Sequence, residues 1–343
     1  MSRSLQQNHI ASLNLLRGVA AVSVCLFHLL GGDRVKQYPW LQSVFNEMHL
    51  GLFLFFIISG FIIPYSMYVN GYRPGKFPLF LLKRAVRIEI PYIIAFHLML
   101  LMMYVHQHIH QWPFELDRQR YWLHFGYLNQ YFGKENYSAV FWTLAIEFQY
   151  YILIGLVFPL LMSRWKAITA AVLLAFAASA FFFNLHFNWF IFQFGFLFIS
   201  GILVFFYKIR RLSFPFFLAS IAAVVMLAYF RNGYEDAVII PVGCAGILLI
   251  DREWKVTNFL GKISYSFYLV HLEATGWFMM YIEPYIPDLY LRIAAAFVFS
   301  ILFATLFYRL FERPAFRLSK KIIYRDTIPA QGPVPAQVSE KEL

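Results

Sequence analysis

Two ionisable residues interrupt the first apolar run of the chain, LNLLRGVAAVSVCLFHL over residues 13–29: Arg17 and His28. On an α-helix, eleven positions amount to ~1,100° of rotation, only ~20° beyond three turns, and ~17 Å of rise. The two side chains therefore share one helix face. An arginine in hydrocarbon costs at least ~2.5 kcal/mol. A stripe carrying both residues points to a polar interior, where an imidazole can move a proton and a guanidinium can hold an anion. The pair fits a snorkelling arginine and a bundle histidine equally well, and the first helix alone does not choose.

Further groups of this kind recur along the chain. FWTLAIEFQYYIL places Glu147 well inside an apolar segment, where a carboxylate must meet a cation or be protonated. Arg17 and His28 are its candidate partners, and a pair that merely locks two helices fits as well. KISYSFYLVHLEATGW carries His271 and Glu273, with Tyr268 three residues before His271. KRAVRIEIPYI brings Lys83, Arg84 and Arg87 within about one turn, a cationic patch suited to phosphate or to a membrane-surface topology signal. HQHIH at 106–110 is not expected to hold a metal, because helical residues two apart point away from each other. Cys25 lies one turn before His28 and has the chemistry of an acyl acceptor, though plain packing accounts for it too.

The elements that must position these groups are membrane helices. The chain is 60% hydrophobic and 14% charged, against ~25% charged for a soluble domain. Apolar runs near twenty residues recur to the end. The expected fold is all-α, a polytopic bundle of about ten transmembrane helices: 11–30, 50–69, 89–108, 139–162, 166–184, 188–207, 213–230, 236–251, 261–282 and 290–311. The first is expected to be an uncleaved helix, since no small-residue cleavage site follows it. The net charge of +11 does not call for nucleic acid, because Lys and Arg gather between the runs. Basic connections alternate with lean ones, which predicts both termini in the cytoplasm. Cys25 and Cys244 both fall in apolar segments, so no disulfide is expected. The aromatic connection 109–138 reads as interfacial or re-entrant on the outer side. The membrane domain is expected over 1–316, with a disordered polar tail over 317–343.

Six fragments in order, LNLLRGVAAVSVCLFH, GLFLFFIISGFII, KRAVRIEIPY, FWTLAIEFQYY, ISYSFYLVH and FERP, resemble the membrane-bound acyltransferase family 3. These are O-acyltransferases of cell-surface polysaccharides and lipopolysaccharide. The likeness runs from about residue 11 to 314. Carried over by position, the family's Arg-then-His motif falls on Arg17 and His28, and its basic patch on Lys83, Arg84 and Arg87. Its Trp-Ser/Thr-Leu-x-x-Glu falls on Trp142, Thr143 and Glu147, and its late Tyr-x-x-Tyr-Leu-x-His on Tyr265, Tyr268 and His271. Three acidic positions common in the family are Asn14, Phe53 and Phe148 here. The extracytoplasmic hydrolase-like domain that many relatives carry is not expected.

The resemblance implies an acyl-CoA, acetyl-CoA above all, as co-substrate, with no tightly bound cofactor and no metal. Partners would be membrane lipids and a carbohydrate or glycolipid acceptor, in a bacterial cytoplasmic membrane. In this reading His28 is the general base on the acceptor hydroxyl and Glu147 orients or charges it. Arg17 steadies the donor arm or the developing thiolate. Lys83, Arg84 and Arg87 bind the donor's phosphates. Trp142, Thr143, Tyr268 and His271 are candidates to touch the acceptor or to support the residues that do. An acyl group carried covalently on His28 stays open, as does a different class altogether, a transporter or flippase of a lipid-linked sugar.

Overall fold

The computed structural model describes residues 3–31, 38–182, 190–252 and 254–324, with side chains from residue 12 onward. The described residues contain thirteen α-helices and no strand. In chain order these are α1 (Arg3–Leu30), α2 (Pro39–Glu47), α3 (Gly51–Val69), α4 (Phe77–Ile109), α5 (Arg118–His124) and α6 (Trp142–Leu161). Then follow α7 (Lys166–Phe182), α8 (Gly195–Lys208), α9 (Phe214–Asn232), α10 (Tyr234–Leu249), α11 (Lys255–Ile282), α12 (Leu289–Phe307) and α13 (Arg313–Lys320).

Each of the ten expected spans falls on one of the longer helices, leaving α2, α5 and α13 as short additions. Seven stretches, built on α1, α3, α4, α6, α8, α9 and α12, are long and apolar enough to cross a membrane unaided. Helices α7 and α10 are shorter, with 17 and 16 residues, and α11 is long but carries Lys262, His271 and Glu273. In hydrocarbon each backbone N–H and C=O must be paired within its own segment, which is why an unbroken helix is the only solution for these runs. The expected spans 166–184 and 188–207 reach into residues 183–189, which lie outside the described residues. The expected domain limit at 316 falls within α13, and the expectation of disorder lies mostly on residues 325–343, also outside them.

Two close backbone approaches fix the helices that matter. Gly261 of α11 faces α1 so closely that an added Cβ would collide with the Asn14 carbonyl oxygen. The same seam is tied by Asn14 Nδ2 donating to Asn258 Oδ1 at 2.9 Å. Helices α3 and α8 cross at Gly60 and Gly201 in the same manner. Small residues at such crossings let backbones approach and gain dispersion contacts, the main attraction available inside a bilayer.

The connection between α4 and α6 folds back along α4. Tyr127 donates to Glu89 Oε1 at 2.8 Å, and His124 Nδ1 lies 2.9 Å from the Tyr92 hydroxyl. Glu89 is 20 residues before the end of α4, so the connection descends ~30 Å alongside that helix. Its own links hold it in shape: Lys134 pairs with Asp117 at 2.9 Å, and Arg120 donates to the carbonyls of Glu135 and Asn136. As a result α6 begins deep in the bundle.

At the other end, a π-helical turn over Tyr308–Glu312 joins α12 to α13. Such a turn shifts helical register and is a frequent companion of functional sites. Here it directs Glu312 inward, where its carboxylate accepts from the Ser266 amide at 3.0 Å and the Ser266 hydroxyl. The α13 helix then packs back along α4.

Candidate active site

Helices α1, α3, α4, α6, α11 and α13 enclose a cavity of about 1060 Å³. Small-molecule sites are typically ~300–1,000 Å³, so the space suits a large ligand. From α1 come Asn14 and Arg17, from α4 Arg84, Arg87 and Ile88, and from α6 Thr143, Glu147 and Tyr151. Tyr265, Tyr268 and Lys262 enter from α11, and Glu312, Arg313, Arg317 and Lys320 from the π-turn and α13. Seven basic side chains line it against three acidic ones, Glu147, Asp251 and Glu312. Among the described residues, Arg17, Arg84 and Arg87 make no ion pair within 4.0 Å. Two of them are instead braced by rings: Arg84 lies over Phe80 and Tyr151 at 5.6 and 5.7 Å, and Arg87 over Phe316 at 5.0 Å. Guanidinium on aromatic is a stable packing that leaves the N–H donors available. A positive, half-buried pocket with unused donors is built for an anion, and phosphate is the group its forked geometry matches best.

The expected basic patch is therefore split. Arg84, Arg87 and Ile88 span ~100° of the α4 surface, and Lys83 falls ~40° beyond the Arg87 edge. Lys83 does not line the cavity, and its ammonium lies 5.4 Å from the Tyr324 ring centroid. In place of Lys83 the structure supplies Lys262, Arg313, Arg317 and Lys320. Their sequence context, at helix ends on the basic side, looks like ordinary topology charge. Lys262 enters from α11, and the return of α13 onto α4 turns the other three toward the site.

Glu147 also has other partners than expected. Its Oε1 accepts from Ser59 at 3.1 Å and from Tyr151 at 2.5 Å, not from Arg17 or His28. The reason is depth. Thr143, one turn before Glu147, meets Tyr268 at 2.7 Å, and the Tyr268 hydroxyl also lies 3.1 Å from the Val140 carbonyl. This Thr143–Tyr268 layer closes the inner end of the cavity, with Phe55 edge-on to the Tyr268 ring at 5.7 Å. Glu147 lies on the arginine side of the layer.

His28 and His271 lie on the other side. Neither lines the cavity, and their rings are 5.4 Å apart between centroids. His271 is fully buried one turn beyond Tyr268, 6.0 Å from its ring. His28 is 4.9 Å from Phe27. Arg17 and His28 thus occupy one face of α1, as their spacing predicts, but of the two only Arg17 lines the cavity. Cys25 is buried against Ser300 at 3.9 Å, in a packing position. Trp142 leans on Phe194 at 5.7 Å and does not reach the cavity. Tyr265 donates to the Ile88 carbonyl at 2.8 Å and ties α11 to the arginine-bearing helix.

The arrangement resolves into a cationic chamber, a Thr143–Tyr268 hydroxyl layer and an imidazole pair, His28 half-buried and His271 fully buried, in series. An acyltransferase-domain family model matches residues 10–309 of the chain. A putative acetyltransferase, ORF330, of Acidianus two-tailed virus is 28% identical over 186 residues, 54% of this chain and 52% of that protein. The O-acetyltransferase OatA of Staphylococcus aureus (strain NCTC 8325 / PS 47) is 26% identical over 176 residues, 48% of this chain and 27% of that protein. The chain thus spans about half of the first relative and about a quarter of the second. No solved structure matches it. With the matched domain covering nearly all of the helical bundle, the chain is an integral membrane protein belonging to the acyltransferase family 3.

Proposed function

We propose that the chain moves an acyl group, acetyl first among them, from cytoplasmic acyl-CoA to a hydroxyl of a cell-surface sugar or glycolipid. The observation that carries this reading is the order of parts: seven cations lining the cavity, then the Thr143–Tyr268 layer, then His28 and His271 beyond it. An acyl-CoA has the same order, with phosphates at one end, a thin pantetheine arm, and the thioester at its tip. Arg84, Arg87 and the α13 cations would hold the phosphates, and Arg17 the arm or the sulfur as negative charge develops on it. His28 would take the proton of the acceptor hydroxyl as its oxygen attacks the thioester carbonyl. The new C–O bond replaces the C–S bond, and the thiol departs with a proton. Glu147, bonded to Ser59 and Tyr151, offsets part of the arginine charge and keeps the chamber open between donors.

The names of the relatives, an acetyltransferase and an O-acetyltransferase, support acetyl as the group and oxygen as the acceptor atom. The alternation of basic connections supports cytoplasmic termini, which would put the cationic chamber where acyl-CoA is made. The experiment is a mass comparison of surface glycans from cells with and without the chain. A fragment heavier by one acyl group in its presence identifies group and acceptor together. Glycans of unchanged mass but altered amount at the surface would favour the transporter reading.

A further inference from the structure

We propose that His271 is a second imidazole of the reaction, sharing the acceptor's proton with His28 through the Nε2 lone pair; this rests on the acyl-transfer reading. His271 Nδ1 lies 2.9 Å from the Tyr268 carbonyl oxygen and 3.1 Å from that of Phe267. A carbonyl oxygen can only accept, so Nδ1 carries the hydrogen and the neutral ring has its lone pair on Nε2. Among the described residues that Nε2 has no hydrogen-bond partner, although the residue is fully buried. Native proteins rarely leave a buried acceptor unpaired, and such an exception calls for a role.

Scaffolding does not supply that role. Both partners of Nδ1 are on the same helix, three and four residues back, so the ring's hydrogen bonds tie α11 to no other element. What faces it is reactive. From α1 comes His28, with its ring 5.4 Å away, while Cys25 of that helix is turned to Ser300 of α12. Along α11 are Tyr268, whose hydroxyl is engaged with Thr143, and Glu273. Across Phe27 lies His49, itself paired with Glu235 at 3.1 Å.

The step balances without an added reagent. The acceptor hydroxyl oxygen forms its bond to the acyl carbon, and the C–S bond breaks. The hydroxyl proton passes to His28, whose imidazolium then donates to His271 Nε2. The shared proton finally goes to the departing sulfur, leaving an ester, a free thiol and two neutral rings. A second imidazole spreads the charge that a single one would hold in a low-dielectric site.

Two near-isosteres separate this role from a structural one. His271→Asn keeps an amide nitrogen near Nδ1 and removes the group at Nε2, whereas His271→Gln restores an acceptor oxygen near Nε2. Both are read by mass as acylated surface glycan in cells carrying equal amounts of membrane-inserted protein. We expect His271→Asn to lower acylation about a hundredfold, the usual weight of a positioned acid–base group, and His271→Gln to recover part of it. Asn performing as well as Gln, or better, would reduce His271 to its own-helix bonds and overturn the proposal. Nitrogen-15 NMR of histidine-labelled wild-type protein in nanodiscs, with the signal assigned by its loss in His271→Asn, reads the tautomer without any substrate. An Nδ1–H ring is expected, and an Nε2–H ring would overturn the proposal even if the variants lose activity. Wild-type cells with no acylated glycan but an Nδ1–H ring would instead bring down the acyl-transfer reading, and with it the proton-sharing role.

Discussion

Lys83 and Arg87 sit one turn apart on α4 and are equivalent by every sequence criterion, yet the cavity admits only Arg87. That difference can be measured. Arg87→Met retains aliphatic bulk against Phe316 and removes the guanidinium, and Lys83→Met makes the matching change outside the cavity. A hydrogen bond to a charged group contributes ~1.5–3 kcal/mol, and truncating one partner of a phosphate contact in a partly buried site forfeits that amount. At ~1.4 kcal/mol per decade this is about a 10- to 150-fold rise in the dissociation constant for coenzyme A. Lys83→Met should stay within about twofold, since the outer charge acts on the donor only through screened solvent. Arg84→Met combined with Arg87→Met should cost less than the sum of the single changes, because the two guanidiniums serve one anion. Calorimetric titration of coenzyme A into protein in nanodiscs at low salt reads all four. Equal losses at Lys83 and Arg87, or unchanged affinity in Arg87→Met, would refute the cavity as the donor site.

Three further outcomes follow from other parts of the bundle. Gly261→Val should push α1 off α11, lowering both thermal stability and donor binding, while Gly276→Ala, with open space at its Cβ, should be neutral or slightly stabilising; melting curves of the two compare them directly. In a background without Cys25 and Cys244, a cysteine at Asn136 should react with a membrane-impermeant reagent in intact cells and one at Gly75 only after the membrane is opened, and the reverse pattern would invert the topology. Burial, aided by Arg120, holds His124 in the α4–α6 connection at about 4, against ~6.5 for a free imidazole. Its Nε2 accepts from the Tyr137 amide at 3.2 Å, a bond that protonation removes. The unfolded connection takes up its proton first as pH falls, so the stabilisation is complete above pH ~6.5 and declines towards pH 4. Protection factors of the amides over residues 118–141, taken against the intrinsic rate at each pH, should therefore fall between pH 7 and 5, and a pH-independent protection would contradict this.

The apolar runs were legible because a bilayer demands about twenty consecutive apolar residues per helix and tolerates few alternatives. Charges set within those runs were legible for the same reason, and Arg17, Thr143, Glu147 and Tyr268 all reach the cavity. What was not legible depends on how helices sit beside one another. Arg313, Arg317 and Lys320 read as positive-inside residues until α13 folds back along α4. The separation of Glu147 from His28 follows from the α4–α6 connection, which folds back along α4 and starts α6 deep enough for Thr143 to meet Tyr268 between them. Nothing in local sequence records that depth, because it is set by Tyr127 reaching Glu89 and His124 reaching Tyr92 across the bundle. Ser59 and Tyr151 escaped notice because hydroxyls on apolar helices are common and only a carboxylate beside them gives them meaning.

The measurement that bears most directly on the account follows isotope from donor to acceptor. Purified protein in nanodiscs is mixed with acetyl-CoA labelled in the acetyl group and with glycolipid extracted from the native membrane. Label entering the glycolipid and free thiol should appear in equal amounts, and both should vanish in His28→Ala at unchanged coenzyme A affinity. Thiol release that persists in His28→Ala, or glycolipid that stays unlabelled with wild-type protein, would contradict it.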